Sequence, residues 1–174
     1  MIFISTGHHK HRQGASFQGH TEYAEASRWV EVLDTYLGES SQKIPTGVLS
    51  EKVTHINRSC KAKKGDHLAI EIHFNSDPAR AGKGCETLYY PGSKRGKEVA
   101  ESLQESMSVV FTPDRGAKEG WYRMHPDNGP NFFLARTACT AIILEPEFIH
   151  NIEKIQANRL VCCRQLASAL RKYS

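Results

Sequence analysis

The sequence predicts an α/β fold: a single domain, residues 1–174, built on an open, mostly parallel or mixed twisted β-sheet with helices on both faces. Three observations predict it. Short apolar runs of strand length alternate with longer segments in which apolar residues recur every three or four positions. Glycine, proline or polar residues end these runs. The 174 residues, 39% hydrophobic and 24% charged, suit one packed core, with no repeat or linker to divide it.

Taken in order, Ile2 to Thr6 reads as a buried strand closed by Gly7, and His8 to Gly19 as a polar loop. Thr21 to Leu37 is helical, with Ala26, Trp29, Val30, Leu33 and Leu37 in phase and Gly38 as the stop. Val48 and its neighbours fit a short strand. Ser50 then caps a helix running to about Lys63, with Val53, Ile56 and Cys60 on one face. His67 to Phe74 is short and mostly apolar, as a central strand should be. Gly84 to Tyr90 reads as another strand, Ser93 to Val110 as a helix and Ala138 to Leu144 as a second strongly apolar strand. The last helix runs from about Ile152 to Lys172 and carries Ile155, Leu160, Leu166 and Leu170.

Composition excludes several classes. The net charge of +4 favours approach to an anionic polymer, but no dense basic stripe interleaved with aromatics points to nucleic acid. No apolar run has the length of a membrane span. The apolar N-terminus is too short for a signal peptide and lacks a basic lead-in, so no export address is visible and synthesis in the cytoplasm is expected. Five cysteines without a C-x-x-C pair suggest reduced, mostly buried thiols rather than a disulfide framework or thiolate metal site. No G-x-S-x-G nucleophile elbow occurs.

Functional groups of α/β sheets gather where strands end, and His8, His73 and Glu145 all follow predicted strands. An open catalytic zinc site takes three protein ligands, often histidine and carboxylate. His8 and His73 could meet at one sheet edge, and Glu25 in the following helix could reach over the same edge. Read alone, each signal is weak: a lone histidine is more often a surface or satisfied core residue, and a helix glutamate such as Glu25 is more often simply solvated.

Further pieces narrow the reading. Gly7-His8, Gly14-Ala15 and a glutamate opening the first helix come first. Asn57-Arg58, Ile72-His73-Phe74-Asn75 and Gly84-Cys85-Glu86-Thr87 follow. Asp114 to Lys118 and Ile143 to Asn151 complete the series. In this order and spacing the chain resembles the zinc-dependent N-acetylmuramoyl-L-alanine amidases of the Amidase_3 family. The resemblance implies one zinc per chain held by His8, Glu25 and His73. Glu25 is preferred to Glu22 because Trp29, Val30 and Leu33 follow it at the distance where the family's helix begins to pack. His9, His11 and His20 are expected to be solvated.

The family's catalytic glutamate falls on Glu145, acting as general base toward water and then as proton donor to the departing L-alanine amine. Pro146-Glu147 departs from the family's usual turn, and Glu147 is expected at the rim or in solvent. Arg115 and Asn75 are the expected substrate-binding residues, since arginine grips carboxylates in a bidentate manner. Glu71 also departs from the pattern, standing where a small residue is common, and reads as an outward-facing strand residue. The expected substrate is peptidoglycan, cut between N-acetylmuramic acid and L-alanine. A chain without a leader or second domain resembles a phage endolysin, a bacteriolytic enzyme acting on the host wall once a separate protein permeabilises the membrane. The rivals are a zinc peptidase cutting the stem peptide and a non-catalytic wall-binding module.

Overall fold

The computed structural model describes residues 1–122 and 126–173. Its strands are β1 (Ile2–Thr6), β2 (Ser16–Phe17), β3 (His20–Thr21), β4 (Ser41–Lys43), β5 (Leu68–Ile72), β6 (Cys85–Tyr89), β7 (Asp114–Glu119) and β8 (Thr140–Glu145). Its helices are α1 (Glu22–Leu37), α2 (Leu49–Ala62), α3 (Lys94–Ser108), α4 (Phe132–Arg136) and α5 (Ile152–Leu170). Six strands form one sheet in the order β4-β1-β5-β8-β6-β7, and β2 and β3 form a separate hairpin. Every pairing in the large sheet is parallel except β6 with β8, so the expected mixed, mostly parallel sheet is what forms.

Alternation along the central strands divides the core. Ile2 and Ile4 of β1, Leu68, Ile70 and Ile72 of β5, and Ile142 and Leu144 of β8 pack with α1, α3 and α5. Phe3, Ala69, Ala141 and Ile143 face the other way, toward α2 and α4. Burial on both faces explains why these strands read as continuous apolar runs. Trp29 of α1 anchors the thicker layer, edge-on to Phe74 at 5.6 Å and tilted against Phe111 at 5.8 Å. Thr21 caps α1 by accepting from Ala24 N, and Gly38 ends it with φ 57°.

Several local expectations are corrected. Val48 is no strand residue; it precedes α2, and Glu51 Oε2 accepts from its N–H at 3.1 Å, so Ser50 lies inside the first turn instead of capping it. The edge strands β4 and β7 and the short α4 went unpredicted. An edge strand pairs on one side and needs no apolar run, and Ser41-Gln42-Lys43 has none. Leu160 is 59% exposed and not part of the core. All five cysteines are free. Among the described residues, no helix is long and apolar enough to cross a membrane.

Candidate metal centre

The C-terminal ends of β1, β5 and β8 lie side by side, which sets His8, His73 and Glu145 along one edge. β1 and β5 pair in register, Thr6 opposite Ile72, and Gly7 N donates to Ile72 O at 2.7 Å. His8 follows in the left-handed region at φ 56°. The chain must pass close here: a Cβ on Gly7 would stand 2.4 Å from the His73 ring. At Gly14, with φ 73°, a Cβ would stand 2.5 Å from both the His8 ring and the Glu22 carboxylate.

Glu22 is the carboxylate that joins the two histidines. Its Oε1 lies 2.8 Å from His73 Nδ1 and its Oε2 3.0 Å from His8 Nε2. Backbone donors fix it further, Phe74 N to Oε1 and Ala15 N to Oε2, both at 3.2 Å. Burial works against its charge, but the hydrogen bonds from His73 and His8 prevail and hold the Glu22 carboxyl down at about 2. One ligand atom from each of His8, Glu22 and His73 lies within 4.8 Å of the others.

Glu25, expected in this position, is not there. It is fully buried one turn along α1, where Oε1 meets Arg28, His20 at 3.4 Å and Gln156 at 3.3 Å, and Oε2 lies 3.5 Å from Arg159. Three residues of helix carry it about 4.5 Å along the axis from Glu22, away from the strand ends and against α5. Apolar phase could not separate the two glutamates, because both lie beside the stripe led by Ala26 and Trp29. Proximity to the helix start was the usable signal. Arg159 of α5 is thereby drawn onto Glu25.

Glu145 ends β8, and its Oε2 is shielded from solvent without a hydrogen-bond partner. Burial pushes its carboxyl up to about 8, with the Glu22 and Glu86 charges adding to the rise and His73 and Arg115 opposing it. Glu147 is not at the rim. It is fully buried, and its Oε1 accepts from Gly84 N, Phe148 N and Asn151 Nδ2 while Oε2 meets Lys154 Nζ at 2.8 Å. Glu147 therefore pins the turn that carries Glu145's neighbours.

Beside Glu145, β6 contributes Glu86 directly opposite it in register. Glu86 accepts from Asn75 Nδ2 at 2.9 Å and Lys118 Nζ at 2.7 Å and pairs with Arg115 at 3.1 Å. The Arg115 guanidinium stacks 4.8 Å over the Phe148 ring, and its Nη1 is shielded without a partner. On the opposite flank a 240 Å³ cleft is lined by His8, His9, Arg12, Lys52, Glu71 and His73 with the Gly47–Leu49 segment. Glu71, read as outward-facing, is 3% exposed and faces His73 and Lys52.

The arrangement defines an α/β protein with a candidate metal pocket at the C-terminal edge of its sheet, and the wider comparison gives its family. The family model for Amidase_3, N-acetylmuramoyl-L-alanine amidase, matches residues 2–160, and the chain belongs to that family. It is thus an enzyme of the N-acetylmuramoyl-L-alanine amidase type, a hydrolase of peptidoglycan. Solved structures share the fold. An N-acetylmuramoyl-L-alanine amidase from Clostridium difficile 630 superposes with TM-score 0.81 at 18% identity, over 99% of this chain and 95% of that one. The catalytic domain of CwlV, an amidase from Bacillus (Paenibacillus) polymyxa var. colistinus, gives 0.79 at 18%, over 99% and 96%. The catalytic domain of an endolysin targeting Clostridia difficile gives 0.73 at 23%, over 99% and 97%. No curated protein matches the chain by sequence.

Proposed function

We propose that this amidase is zinc-dependent, holds the metal through His8, Glu22 and His73, and uses Glu145 as general base. The observation that carries the reading is the convergence of two imidazoles and a buried carboxylate within 4.8 Å, at the same strand edge as a carboxylate oxygen with no partner. Two histidines and one acid are a usual donor set for an open catalytic zinc site. Ligand atoms around a tetrahedral zinc lie roughly 3.3 Å apart, within reach of small side-chain adjustments here. When bound, zinc supplies Lewis acidity toward a carbonyl and toward water.

The chain's own residues do the rest. Glu145, whose Oε2 has no protein partner, takes the proton of the attacking water and delivers it to the amine of the departing L-alanine. Arg115, whose side chain is 28% exposed, offers its guanidinium to a carboxylate of the stem peptide. Asn75 spends its amide N–H on Glu86, which in turn holds Arg115, so Asn75 serves the substrate through that arginine.

We read the setting as phage lysis, with the enzyme made in the cytoplasm and admitted to the wall by a separate membrane-permeabilising protein. An endolysin catalytic domain is among the structures that share this fold. Metal analysis joined to mass spectrometry of digested peptidoglycan tests the chemistry. One zinc per chain, loss of activity in EDTA, and products with intact glycan and free L-alanine amino termini are expected. Peptide left on muramic acid would instead mark a stem peptidase, and undiminished cleavage after demetallation would remove the zinc. Lysis on co-expression with a permeabilising protein, and none without it, tests the setting.

A further inference from the structure

Strand alternation places Glu71 and His73 on the same face of the β5 run, the side that α2 covers. Glu71 is 3% exposed, and its two oxygens are divided. Oε2 lies 3.1 Å from His73 Nε2, while Oε1 accepts from Lys52 Nζ. Lys52 comes from α2, is 2% exposed, and donates also to Thr6 O at the end of β1. The line Thr6–Lys52–Glu71–His73 thus crosses from the strand before His8 to the ring of His73. The opposite ring nitrogen of His73, Nδ1, is the one turned toward Glu22, whose other oxygen meets His8.

We propose that Glu71 is a positioning residue, held in place by Lys52, that fixes His73 with a proton on Nε2 and so presents Nδ1 as the metal-binding nitrogen. The proposal rests on the metal reading above. An imidazole has one donor and one acceptor nitrogen when neutral, and an acceptor at one nitrogen decides which face is free to ligate. Carboxylates in this relation to ligand histidines orient the ring, and their loss typically costs 10–100-fold in metal affinity. Lys52 supplies the countercharge that lets a carboxylate sit in this dry wall of the cleft, since an unpaired buried charge is strongly destabilising. Glu71 is thereby explained by a task, where the surrounding strand is otherwise apolar.

The informative variants remove both charges, because either single removal strands the other charge. Lys52→Met/Glu71→Leu and Lys52→Met/Glu71→Gln both lose the ion pair, but only the glutamine keeps an acceptor for His73 Nε2–H. Zinc affinity by chelator competition is expected to fall about 10–100-fold in the leucine variant and to stay within about threefold of wild type in the glutamine variant. Equal affinities in the two variants would overturn the proposal. A second measurement needs no variant: long-range ¹H–¹⁵N spectra of the zinc-loaded wild type should show His73 Nε2 protonated. Finding Nε2 unprotonated and coordinated would overturn it as well. Wild type that binds no zinc would instead defeat the metal reading itself.

Discussion

Phe74 donates its backbone N–H to Glu22 Oε1 at 3.2 Å, across 52 residues of sequence. That bond ties the start of α1 to the end of β5 and aims the carboxylate between two imidazoles. Its consequence is a sharp contrast between two glutamates one turn apart. Glu22→Ala should lose stoichiometric zinc. Glu25→Ala should keep it and lose stability by about 1–3 kcal/mol, because Arg28 and Arg159 retain partial solvent contact. Metal content and urea unfolding of both variants check this; zinc lost from Glu25→Ala and kept by Glu22→Ala would reverse the assignment.

On the proposed reading, Glu145 serves the chemistry and not the metal. Glu145→Gln should retain zinc while turnover falls about 10²–10⁴-fold. Muropeptide release and metal analysis on the same preparation decide it. A variant that keeps near-normal turnover would show that another group moves the proton.

The same residue gives a pH signature in the demetallated protein. Burial raises the folded Glu145 carboxyl from 4.5 to about 8. Between those values the folded chain keeps a proton that the unfolded chain has lost, so stability falls as pH rises through that window. Glutamine has no such proton. The Tm advantage of Glu145→Gln over wild type in EDTA should therefore grow from about pH 5 to about pH 8. A pH-independent difference would contradict the burial argument.

Gly14 and Gly19 both have positive φ, 73° and 80°, yet only Gly14 touches the site. Alanine at either position should cost about 1–2 kcal/mol from backbone strain. At Gly14 the added methyl group must also displace Glu22 or His8, so zinc affinity should fall for Gly14→Ala alone. Parallel zinc titrations of the two variants measure the difference.

Glu147 should prove a structural residue. Glu147→Ala strands the Gly84 and Phe148 donors and Lys154, and should cost about 2–4 kcal/mol, less than a fully buried pair because Lys154 keeps contact with water. Denaturant midpoints compare it with Glu145→Gln, which should be far less destabilised.

The parts of the fold that are buried on both faces were legible in the chain. β1, β5 and β8 announce themselves as apolar runs because a central parallel strand meets helices on either side. β4 and β7 were not legible, since edge strands are specified by a neighbour's unpaired backbone and not by their own side chains. The site divides in the same way. His8, His73 and Glu145 follow strands and could be read from that placement; Glu22 was marked only by its place at the start of α1, and Glu71 and Glu147 carried no such signal.

Sequence alone determined the layered architecture, the family and the strand-end residues, because periodicity and local order record burial directly. Which carboxylate meets which imidazole was decided only in three dimensions. Glu22 and Glu25 have the same chemistry and nearly the same helical phase, and they part company through a few ångströms of rise and the arrival of α5. Glu71 turns from an anomaly in an apolar strand into a held acceptor only because Lys52, 19 residues earlier, folds across to meet it.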